Sequence, residues 1–215
     1  PIELAWFHGL YGEINHSIEL AEQALDNTIK KMPDWKSPAL ANLIRLNLMA
    51  GNVDAAEKIA GSEQLNPIMA VIRSRYLAII NLAYIELELA KNNFKDALSR
   101  CDVLLDEIIK LTWIHHPEIL CRKADALVGL GRLDEALQAL TEACSRAEKL
   151  DLKLHLLDAL ARMADINSQL GNQNEAETNR KQARNIVDLI AERLEKIDLK
   201  DSFLKQPRVQ KLMRE

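Results

Sequence analysis

The 215-residue sequence predicts an all-α protein, an array of about five helix hairpins, on two observations. The first is composition: 35 Leu and 26 Ala stand against 6 Val and 4 Thr, and aromatics make up 4%. Leu and Ala enter helices at low cost, whereas the β-branched and aromatic residues that suit a pleated surface are scarce. A β-sandwich or an α/β nucleotide fold is a poor match to such a chain. The second is a short phrase that recurs as Gly12-Glu-Ile-Asn-His-Ser17, Gly51-Asn-Val-Asp-Ala-Ala56, Asn92-Asn-Phe-Lys-Asp-Ala97, Gly131-Arg-Leu-Asp-Glu-Ala136 and Gly171-Asn-Gln-Asn-Glu-Ala176. Its first residues are 39, 41, 39 and 40 positions apart.

Each phrase reads as the turn of one hairpin. Gly or Asn suits the residue after a helix, where the backbone turns left-handed, and the Asn/Asp that follows is expected to cap the next helix. Around Gly12 the expected helices are 2–11 and 14–31, and around Gly51 they are 37–50 and 52–62. Asn92 joins 67–90 to 94–112, and Gly131 joins 116–129 to 133–149. In that fourth copy Leu137, Leu140, Ala143 and Ala147 continue an apolar stripe at helical spacing. Gly171 joins 152–170 to 173–197. Small residues at Ser17, Ala56, Ala97, Ala136 and Ala176, each twelve positions after Ala5, Ile44, Ile85, Ala124 and Ala164, mark where paired helices cross closely. The expected repeat units are about 1–33, 34–66, 67–114, 115–150 and 151–197, followed by a cap at 198–215. Hairpins of this kind stack into one continuous superhelix.

The bulk numbers narrow the function. A net charge of −4 argues against a nucleic-acid partner, although residues 178–215 carry 10 Lys/Arg against 6 Asp/Glu and leave −8 for residues 1–177. Cys101, Cys121 and Cys144 form no C-x-x-C pair and read as small apolar residues in a reducing, cytoplasmic compartment. The most apolar stretch, Ile68 to Ala90, is interrupted by Arg73, Arg75, Glu86 and Glu88, so no membrane span is expected. The chain opens on Pro1 inside an expected helix, as a piece of a longer polypeptide would.

Several residues carry a nameable resemblance. Ala124-Asp-Ala-Leu127, Gly131-Arg-Leu-Asp-Glu-Ala136 and Ala143 resemble the pattern of the tetratricopeptide-repeat family, and the recurrence extends this over nearly the whole chain. The resemblance implies a right-handed α-α superhelix with the first helix of each pair lining a concave groove. The period departs from the family's usual length of about 34 residues. The usual closing proline is displaced, with Pro33, Pro67 and Pro117 near the start of the next unit, and Gln173 stands at a usually apolar position. The longer period resembles the repeat domains of large bacterial signalling ATPases and cyclases and of regulators related to the maltose-regulon activator. The tail from Asp201 to Met213 resembles the segment closing such arrays, with Phe203, Leu204, Val209 and Leu212 expected over the last helix pair.

No catalytic constellation, phosphate loop or cofactor motif is present in the sequence, so an enzyme is not expected. His115-His116-Pro117 lacks further ligands at metal spacing and reads as a polar turn between units. On the implied concave face stand Trp6, Arg45, Glu86, Asp125 and Asp165, and three residues earlier Asn42, Arg122 and Arg162 in the corresponding copies. Arg122/Asp125 and Arg162/Asp165 repeat one i, i+3 pair a unit apart. Two readings stay open: structural ion pairs, or a groove of alternating charge that reads a protein or peptide, including another domain of the parent chain. Chaperone-tail binding is disfavoured, because Glu86, Asp125 and Asp165 would repel a terminal carboxylate. The leading expectation is a non-enzymatic interaction module of a bacterial signalling protein. A small-molecule sensor domain, with Trp6, Trp35, Trp113 and Tyr84 as candidate platforms, and a structural or oligomerisation arm are the alternatives.

Overall fold

The computed structural model describes residues 2–32, 35–62, 75–108 and 113–214. Helices run in pairs: α1 (Ile2–Leu10) with α2 (Ile14–Lys31), α3 (Lys36–Met49) with α4 (Val53–Ser62), and α5 (Arg75–Ala90) with α6 (Phe94–Ile108). They continue as α7 (His116–Gly129) with α8 (Leu133–Lys149) and α9 (Lys153–Gln169) with α10 (Gln173–Arg193), then α11 (Ile197–Leu204) and α12 (Pro207–Arg214). No strand occurs among the described residues. The expected helix starting at 67 and the end of the one reaching 112 fall partly outside them.

The recurring phrase makes the turns. Its first residue is left-handed in all five copies, with φ of 97° at Gly12, 79° at Gly51, 60° at Asn92, 74° at Gly131 and 81° at Gly171. The next amide then reaches back to close the helix end. Glu13 N donates to His8 O, Asn52 N to Asn47 O, Asn93 N to Glu88 O, Arg132 N to Leu127 O and Asn172 N to Asn167 O, at 2.8–3.0 Å. The expected side-chain cap is not made at α10: Asn172 precedes it without a capping bond, and its amide instead donates to Asn167 Oδ1 at 3.2 Å. The tight turn draws the Asn172 side chain toward the helix behind it.

Close crossing holds each pair together. Ala5, Ile44, Ile85, Ala124 and Ala164 are at most 1% exposed, and Ser17, Ala56, Ala97, Ala136 and Ala176 are 0% exposed. The Ser17 hydroxyl is satisfied within its own helix, donating to Glu13 O at 2.7 Å. Successive odd-numbered helices also pack on one another, from α1 on α3 through α7 on α9, so these helices form the inner layer of an α-α superhelix. Cys101 and Cys121 are buried in its core, and burial pushes each thiol up to about 12.

The end of the array differs from the expected helix 173–197. Helix α10 stops at Arg193, and Leu194 is extended (φ −83°, ψ 102°), which lets the chain fold back with Leu194 packed on the same core as Phe203. Phe203, Val209 and Leu212 are buried there with Leu157, Val187 and Ile190, and Leu204 packs at the edge. The tail also meets the opposite end of the chain. The Gln206 side-chain amide donates to Leu10 O at 3.0 Å, and the Tyr11 and Phe203 rings meet edge-on at 6.1 Å. Gly12 lies so close to the tail that a Cβ there would come within 2.6 Å of Ser202 O. The last hairpin, the tail and the first hairpin therefore form a closed circuit.

Candidate functional site

Closure turns the concave face into a cavity of about 760 Å³. Its wall comes from the inner helices α1, α3, α5, α7 and α9 and from the tail. Trp6, Arg45, Glu86, Arg122, Asp125, Arg162 and Asp165 all line it. Asn42 is not among the lining residues, being buried within α3.

The charges form a ladder across the inner helices. Arg45 is 2% exposed and lies 4.1 Å over the Trp6 ring. Its guanidinium donates to both Glu86 oxygens, at 2.9 and 3.1 Å, and pairs with Glu118. Glu86 also accepts from Arg122 at 2.8 Å, and Arg122 reaches Asp125 at 3.2 Å. Asp125 accepts two bonds from Arg162, at 2.7 and 3.1 Å, and Arg162 pairs with Asp158 at 3.1 Å. Arg208 of the tail pairs with Asp158, and Lys211 donates to Asp165 at 2.5 Å. The sequence suggested an Arg162–Asp165 pair within α9. Arg162 instead forks onto Asp125 of the preceding unit, where planar two-bond geometry suits a guanidinium better than a single contact.

Mutual pairing makes this burial tolerable. Burial would raise the Asp158 carboxyl, but Arg162, Arg208 and Arg122 outweigh it and hold the group well below the ordinary carboxylate range. Burial likewise opposes ionisation of Glu118, and Arg45, His115 and His155 reverse that effect. His115 and His155 stand 3.6 and 3.9 Å from Glu118. Among the described residues no group of three His, Cys, Asp or Glu is placed to hold a metal ion. His116 is buried, and burial followed by the nearby Arg146 lowers its pKa.

Glu118, Asp158, Arg208 and Lys211 are ionic groups of the site that the sequence pattern did not single out. Two had a visible signal. Glu118, Arg122 and Asp125 share the i, i+4, i+7 spacing of Asp158, Arg162 and Asp165, which places each trio on one helix face. Reading one turn further back from each arginine finds both carboxylates. Arg208 and Lys211 had no such signal, since their positions depend on how the tail folds across the array.

With this geometry, the chain is a tetratricopeptide-like array by fold. Residues 117–150 match the family model described as tetratricopeptide repeat. Two crystal structures of a Podosopora anserina protein described as a kinesin light chain with nearly identical TPR-like repeats share the fold. The first has a TM-score of 0.59 at 19% identity, over 89% of this chain and 94% of that one. The second has a TM-score of 0.56 at 19% identity, over 90% and 95%. No curated protein matches the chain in sequence. Tetratricopeptide repeats generally mediate protein–protein interaction or scaffolding, and such folds are typical of non-enzymatic modules. No described helix is long and apolar enough to cross a membrane.

Proposed function

We propose that the array is a non-enzymatic interaction module of a bacterial cytoplasmic signalling or regulatory protein, and that its concave cavity takes a protein segment. The observation that carries this is a cluster of charge: the buried Arg45 and the half-buried Glu86, Glu118, Arg122, Asp125, Asp158, Arg162 and Asp165 of the inner helices share one cavity wall. A stacked array needs dry crossings between helices, not arginines shared among carboxylates on its inner surface. Pairing also makes the wall selective. A segment that cannot replace an ion pair leaves charges desolvated and unmatched, which excludes most chains. A sugar sensor is supported less well, because the aromatic platform lining this cavity, Trp6, is already covered by Arg45.

The test uses peptides selected by display against the full chain. Binders are expected to lose at least about tenfold in affinity, equivalent to roughly 1.4 kcal/mol, on Asp125→Lys and on Asp165→Lys. Circular dichroism and thermal melting establish that each variant remains folded. Binders indifferent to both substitutions would place recognition on another face and overturn the groove reading.

A further inference from the structure

The inner wall and the tail do not balance separately. Among the cavity-lining residues of α1 to α9, Arg45, Arg122 and Arg162 face five carboxylates, so these groups alone carry a charge of −2. The array's own arginines account for bonds to Glu86, Glu118 and Asp125. The excess lies at the α9 end, where Asp158 shares Arg162 with Asp125 and Asp165 is paired by the tail. On the tail, Lys205 and Arg208 line the cavity, and Arg208 and Lys211, three positions apart on α12, pair with Asp158 and Asp165. At the following positions, Val209 and Leu212 are buried on the core of the last pair. Helix α12 thus presents a basic face to the acidic wall and an apolar face beside it.

We propose that α12 is an internal occupant of the partner site, and that the partner is a basic amphipathic helix that exchanges with it. The inference rests on the groove reading above and adds the partner's chemistry. Such a helix carries Arg or Lys at positions i and i+3, with apolar residues at i+1 and i+4. Two features make exchange feasible. Both tail cations remain partly open to solvent, with Arg208 35% and Lys211 52% exposed, and α12 is only eight residues long. Its departure takes the tail cations from Asp158 and Asp165 together, leaving Asp158 with Arg162 alone, and also strains the neighbouring Gln206–Leu10 bond that closes the circuit. Partner binding and opening of the ring are therefore coupled.

The probe is a labelled synthetic peptide with the sequence of residues 205–214, added to the full chain and followed by fluorescence anisotropy. In the unmodified chain the covalent tail competes at an effective concentration on the order of millimolar, so binding of the free peptide is weak. With Arg208→Glu and Lys211→Glu together, the internal tail is repelled while Phe203 is retained. The peptide is then expected to bind at least tenfold more tightly, and less so as salt rises. Adding Asp158→Asn and Asp165→Asn is expected to abolish that gain. If the reversal variant loses its fold, Arg208→Gln with Lys211→Gln takes its place, with the same order of affinities expected. Equal affinity for the unmodified and tail-altered folded chains, or a gain that survives the two Asp→Asn changes, would overturn the proposal. Groove-dependent binding of displayed peptides alongside such a failure would show that the groove reading stands without tail exchange.

Discussion

The helix crossings and the concave wall obey one period of about 40 residues but use opposite chemistry. At the crossings every copy repeats the same solution: a small or compact residue, fully buried, with no charge to satisfy. On the wall the equivalent positions change from Trp6 to Arg45, Glu86 and Asp125, and only the last two copies agree, with Asp125 and Asp165. The crossings are uniform because every helix pair must approach to the same distance. The wall can vary because its residues need only match their neighbours in the adjacent units. Stability is accordingly shared among all copies, whereas the proposed recognition depends on the order of charges along the array.

The largest effect should come from breaking that match at its most buried point. Arg45→Ala leaves Glu86 and Glu118 without their shared cation, and a loss of about 3–5 kcal/mol is expected in urea unfolding. A loss below about 1 kcal/mol would show the wall to be as solvated as a surface. Next comes the uniform layer. Ala136, 0% exposed, has no room for a larger side chain, so Ala136→Leu should cost about 1–3 kcal/mol through overpacking. A neutral result would mean that the crossings are looser than their burial implies.

The pH dependence separates the two layers further. Asp158 and Glu118 have pKa values depressed on folding, so each contributes stability that is present above the unfolded values of about 4. That contribution is lost as pH falls from about 4 toward the folded values, at about 1.4 kcal/mol for each unit of depression. Acid titration of thermal stability should therefore show a steeper decline in the unmodified chain than in Asp158→Asn. Parallel curves would indicate that Asp158 gains nothing from its arginines in the folded state. The smallest effect is expected at the exposed rim: Lys211→Ala should change stability by no more than about 0.5 kcal/mol, since exposed ion pairs contribute little.

Much of this architecture was legible because it is local. A left-handed residue, a returning amide and a small residue twelve positions after a small or apolar one are all written within one hairpin. The inner-face charges were legible for the same reason, since i, i+3 and i+4 spacing determines which side chains share a helix face. Their pairing partners were less so. Arg162 could reach Asp165 on its own helix or Asp125 on the neighbour, and only the distance between packed helices decides between them. Closure of the circuit was not legible at all. Gln206 and Leu10 are 196 positions apart, and their meeting depends on small rotations accumulated over every unit. Local periodicity carries no record of that sum.

Binding of a protein segment on the inner wall, not on the convex surface, is the proposal on which the rest depends. Hydrogen–deuterium exchange tests it most directly, comparing the Arg208→Glu/Lys211→Glu chain with and without the 205–214 peptide. New protection is expected on α7 and α9, and none on the outer faces of α8 and α10. Protection confined to α8 and α10 would contradict it.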